Sequence, residues 1–135
     1  MSPKSQISSH RHHKQADANE ELARELVNRA PEWSVTLAFY AALHSVDELA
    51  AYQQTGFACH DERNDWVYSS PELGLVRRAW YQLYAWSRIA RYDCPGQAND
   101  VRKPDWVSTN AFAYMDRIRR RVEAAKEEHA GQDQV

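Results

Sequence analysis

The stretch from Pro31 to Tyr52, PEWSVTLAFYAALHSVDELAAY, decides the fold. Val35, Phe39, Ala42, Val46 and Leu49 recur at i, i+4, i+7, i+11 and i+14, which is the period of one buried stripe on an α-helix. The opposite side carries Trp33, Leu37, Tyr40, Ala41, His44 and Ala51, where a surface helix would show Lys and Glu. A helix apolar on two faces lies at the centre of a bundle or has its second face covered by another chain. For a four-helix domain of this length the expectation is a homodimer covering the Trp33, Tyr40 and His44 face.

Working outward, Pro31 suits the first turn of this helix and ends the one before it. That preceding helix is expected from Asp17, because DANE fits a capping box in which Asp17 caps and Glu20 reaches back. Residues 1–15 are polar, with Ser8, Ser9, His10, His12 and His13 clustered. A segment so poor in apolar groups is expected to be a disordered tail. After Tyr52, QQTGFACHDERND reads as a loop broken at Gly56, with a short helix over 61–68. Ser70 and Pro71 then suit the start of a third long helix. Its stripe is Val76, Trp80, Leu83, Ser87 and Ala90, and beside it runs a second line of Arg77, Tyr81, Tyr84, Arg88 and Arg91. DCPGQANDVRKPD is the longest loop. The fourth helix is expected from near Ser108, with Ala111, Met115, Ile118, Val122 and Ala125 inward and the Arg117, Arg119, Arg120, Arg121 run on a solvated face.

The expected architecture is all-α: an antiparallel four-helix up-down bundle with long helices near 17–30, 32–53, 71–92 and 108–127, and a short extra helix between the second and third. The domain spans 16–129, between the N-terminal tail and a frayed end at 130–135. A chain of 135 residues that is 43% hydrophobic can bury one core, and four Gly and five Pro favour helices. The net charge of −2 supplies no global basic field, so any nucleic-acid contact must be local. Cys59 and Cys94 make no metal motif. The first residues lack the apolar core of a signal peptide, and no run approaches a membrane span. The reading is therefore a cytoplasmic protein with reduced thiols. His44 and Glu48 lie four apart and Glu62 and Asp65 three apart, but a paired Glu-x-x-His set is absent. Neither a metal nor another cofactor is expected.

The candidate site lies in HDERNDWVY, His60–Tyr68. FYAALHSVDELAAY, HDERNDWV and YQLYAWSRIARYD together resemble the HEPN superfamily over about residues 17–125. These are small helical bundles of prokaryotic toxins, defence systems and partners of nucleotidyltransferases. The resemblance implies a helical bundle, a dimeric site and, in the ribonuclease members, metal-independent RNA cleavage. Their signature is an arginine followed by a polar residue and, a few positions on, a histidine. Arg63 and Asn64 match its start. Where the histidine is expected, residues 68–70 hold Tyr68, Ser69 and Ser70.

Arg63 suits phosphate binding through its fork of donors but cannot act as a base. Tyr68, with a pKa near ~10, is a poor one. His60, three residues before Arg63, shares its side of a helix and has a suitable pKa of ~6.5. His44 could approach the same segment. Each has a plainer reading: His44 as an interior histidine, His60 as part of a helix start. The Arg77–Arg91 line could pair with Asp47, Glu48 or Asp65, or present cations with Tyr81 and Tyr84 as stacking surfaces for RNA. The functional expectation is a non-catalytic or degenerate HEPN-like protein that binds RNA or a protein partner, such as a nucleotidyltransferase or defence component. The alternative is a metal-independent ribonuclease using Arg63 with His60.

Overall fold

A computed structural model describes residues 1–92 and 100–133. Four long helices, α1 (Pro3–Leu26), α2 (Pro31–Tyr52), α4 (Arg77–Tyr92) and α6 (Phe112–Asp133), form the bundle. The short α3 (His60–Ser69) joins α2 to a 3-10 segment, Pro71–Val76, that runs into α4. A one-turn α5 (Pro104–Trp106) and a π-helical turn, Val107–Ala111, lead into α6. Among the described residues there is no strand, and no helix is long and apolar enough to cross a membrane. The expected turn through Cys94, Pro95 and Gly96 lies outside the described residues.

The centre of the bundle is α2, which packs against α1, α4 and α6. Its Val35, Phe39, Val46 and Leu49 are buried against Trp80 and Leu83 of α4 and Met115, Ile118 and Val122 of α6. The predicted stripes thus face one core. Pro31 opens α2 as expected, with Ala30 before it. The expected third helix is divided: Pro71–Val76 is 3-10 and regular α-helix begins at Arg77, while Ser70 makes no side-chain cap. The fourth starts earlier than Ser108, through the turn led by Pro104.

The largest correction concerns the N-terminus. Residues 1–15 were expected to be disordered, yet α1 starts at Pro3, where Ser2 Oγ accepts from the Ser5 amide at 3.1 Å. What orders this polar segment is not apolar burial but pairing with α2. Ser9 Oγ reaches the Glu48 carbonyl at 3.5 Å, His12 meets His44, and His13 Nδ1 meets the Glu48 carboxylate at 3.1–3.2 Å. Asp17 and Glu20 do not cap a helix start. Both hold Arg119, at 2.6 Å each, so that arginine is largely buried rather than on a solvated face.

The face on which a homodimer was expected is occupied for the same reason. The second face of α2 is covered mainly by α1 of the same chain, and Ala41 and Ala51 are buried with no second copy. Trp33 alone of that group stays largely open, at 59% exposed.

Candidate functional site

Asp47 of α2 and Arg63 of α3 form the pair on which the site is built. Arg63 Nε donates to Asp47 Oδ1 at 2.8 Å and Nη2 to Oδ2 at 3.2 Å, a two-pronged arrangement. The side chains are 11% and 12% exposed. The Phe57 ring lies 5.5 Å from the guanidinium. α3 begins where it does because Glu62 Oε2 accepts from the Ala58 amide at 2.7 Å, and Asp61 and Glu62 sit in the first turn where negative charge is favoured. That start sets His60 and Arg63 on one side, as their spacing predicts.

Arg63 Nη1 lies 3.2 Å from His60 Nδ1. A guanidinium can only donate, so His60 Nδ1 must accept. The imidazole is therefore neutral and carries its hydrogen on Nε2. Burial lowers the His60 pKa below 6.5, and the positive charges of Arg63 and then Arg91 add to the effect. Its ring is tilted towards Phe39 and Tyr84, at 6.4 and 6.1 Å between centroids. Arg91, whose charge acts on His60, donates through Nη1 to the Tyr40 hydroxyl at 2.7 Å, and Arg88, one turn beyond Tyr84, donates through Nη1 to the Tyr84 hydroxyl at 3.2 Å. The described partners of these two arginines are tyrosines and the Ser87 carbonyl, not the Asp47, Glu48 or Asp65 considered from sequence.

Two of the motif residues lie elsewhere. Asn64 Oδ1 accepts from the buried Trp80 indole at 2.9 Å, a bond that ties α3 to α4. Tyr68 is more than two turns along α3 from His60. It lines a shallow surface cavity with Gly74, Arg77, Arg78 and Tyr81. Its pKa is pushed up by partial burial and by Tyr81, which keeps the phenol protonated and unavailable as a base. The line read on α4 is thus split: Arg77 and Tyr81 flank Tyr68, Tyr84 and Arg91 lie near His60, and Arg88 lies over the Tyr84 ring.

His44 joins the cluster on its far side. Its Nδ1 is 2.9 Å from Nδ1 of His12, and the rings stack at 5.2 Å. Burial lowers its pKa, as does the proximity of His12. His12 and His44 thus lie beside the Asp47, Arg63, His60 line, with a His44 nitrogen within 4.8 Å of an Asp47 oxygen. His12 was missed as a site residue because its segment was expected to be disordered.

The lowered histidine pKa values predict an acid-sensitive fold. His44 and His60 are held neutral in the folded chain but protonate near 6.5 when unfolded. Above pH 6.5 both states are neutral, and below it the unfolded state gains protons first. Stability is expected to fall as pH drops from 6.5 towards the lower folded values and to flatten beyond them. Thermal melts between pH 8 and pH 5 check this, and His44→Gln is expected to reduce the slope.

Comparison with protein-family models, with curated proteins and with solved structures finds no match to this chain.

Proposed function

We propose that the chain is a HEPN-like helical domain that binds single-stranded RNA without cleaving it, through His60, Arg91, Arg88 and Tyr84. The observation that supports this reading is the tautomer imposed on His60. With Nδ1 accepting from Arg63, neutral His60 offers an Nε2–H donor and no free lone pair. It can donate to a phosphate oxygen but cannot take a proton from a 2′-hydroxyl. Arg63 is engaged by Asp47 and acts by positioning His60 rather than by holding the phosphate. The cations for that task are Arg91, over the Tyr40 ring, and Arg88, over the Tyr84 ring, and an aromatic ring beside a cation suits base stacking.

The test is fluorescence anisotropy with a labelled single-stranded oligoribonucleotide, in chelator and at fixed salt. The wild type is expected to bind and to leave the RNA intact. His60→Ala and Arg91→Ala are each expected to weaken binding about tenfold or more, since a hydrogen bond to a charged group contributes ~1.5–3 kcal/mol. Binding unaffected by both variants would overturn the assignment of the site. Cleavage lost in His60→Ala would favour the ribonuclease alternative. No RNA binding at all would leave the protein-partner reading in its place.

A further inference from the structure

Beyond the RNA reading, and joined to it only through Asp47, lies the junction of α1 and α2. We propose that His12, His44 and Asp47 form a binding site for a divalent first-row transition cation in octahedral coordination. One imidazole nitrogen from each histidine and a carboxylate oxygen of Asp47 lie within 4.8 Å of one another. His44 and Asp47 are three residues apart on one helical face, and α1 brings His12 opposite them. None of the three side chains is fully exposed, and that of Asp47 is 12% exposed.

The spacing of the two nitrogens selects the geometry. They are 2.9 Å apart. An ion bonded to both at ~2.0–2.1 Å would subtend an angle of about 90° between them, the angle of adjacent octahedral corners. A tetrahedral ion would need them farther apart. A free lone pair on the Asp47 carboxylate, whose nearer oxygen lies within 4.8 Å of both nitrogens, supplies the third corner. Two histidines and one carboxylate on one face leave three positions for water or a ligand.

The surroundings suit such a centre. Without an ion, one Nδ1 must hold a hydrogen for the other to accept. On binding, that hydrogen moves to the Nε2 of the same ring, and both Nδ1 lone pairs face the ion. The Arg63 fork holds Asp47 from behind, as the supporting residues of metal sites do, and leaves further lone pairs on the carboxylate. A neighbouring set, His13, Glu48 and Glu123, has equally close ligand atoms. There the Lys126 ammonium already lies 2.5 Å from Glu48 and 3.3 Å from Glu123, so a cation of the protein's own occupies that place.

The experiment is calorimetric titration of the chelator-treated full chain with Co²⁺ above pH 7, followed by visible absorption. The expected result is one ion per chain with the weak spectrum of six-coordinate Co²⁺. His12→Ala and His44→Ala are each expected to weaken binding at least tenfold, because even supporting residues of metal sites contribute about 10–100-fold. His10→Ala, on the exposed side of α1, is expected to leave affinity unchanged. Circular dichroism accompanies each variant, and His12→Ala decides the matter if His44→Ala unfolds. Absence of binding by the wild type overturns the proposal. So does binding that survives both His12→Ala and His44→Ala, or that falls equally in His10→Ala, since either marks adventitious capture by surface histidines.

Discussion

Asp47→Ala is expected to lower the unfolding free energy by about 3 kcal/mol, the scale of breaking a buried ion pair by removing one partner. The loss arises because the Arg63 guanidinium stays behind, nearly enclosed and without its two carboxylate acceptors. His60 cannot replace them, since its Nδ1 is one acceptor and is already used. Urea unfolding measures the effect as a lower midpoint at unchanged slope. The double variant Asp47→Leu with Arg63→Met is expected to recover much of the loss, because it removes the stranded charge as well as the pair. A loss below about 1 kcal/mol would mean that water screens the pair like a surface salt bridge. Arg63 would then be free enough to bind phosphate itself, contrary to the positioning role given to it here.

Trp80→Ala is expected to cost about 3–5 kcal/mol, as for other large-to-small changes in a packed core. Trp80 is 1% exposed, and its ring lies 5.3 Å from that of Phe39, the central aromatic residue of α2. A smaller change separates packing from hydrogen bonding. Asn64→Ala leaves the core volume intact but strands the indole N–H, at an expected cost of ~1–3 kcal/mol. Chemical denaturation of both variants gives the comparison. If Asn64→Ala is neutral, the Trp80 bond contributes little to stability.

Much of the bundle was legible because apolar periodicity records burial directly. The stripes Val35–Leu49 and Ala111–Ala125 turned inward, as did Val76–Ala90, with its last member Ala90 only partly buried. The first helix was misread because its order does not come from an apolar stripe. Of its residues, only Ser9, Ala16 and Ala23 are buried, and His12 and His13 facing α2 with Asp17 and Glu20 on Arg119 supply polar contacts instead. Composition scores such residues as solvated, and their partners lie more than thirty positions away. The apolar second face of α2 was therefore assigned to another chain when its cover was already present.

The candidate site was half legible. Helical spacing joined His60 to Arg63 and suggested His44 nearby. It could not show that Asp47 takes the Arg63 fork, that Asn64 serves Trp80, or that the α4 line divides between two patches. Those facts depend on how helices meet, which a single-chain period does not encode.

The functional reading rests on which nitrogen of His60 carries its hydrogen. A long-range proton–nitrogen NMR spectrum of the histidine side chains at pH 7.5, assigned with His60→Gln, reads this directly. The account predicts a neutral imidazole with hydrogen on Nε2 and a titration midpoint below 6.5, with the Nε2 signal shifting when a single-stranded oligoribonucleotide is added. A His60 carrying its hydrogen on Nδ1, with a free Nε2 lone pair available as a base, would contradict it.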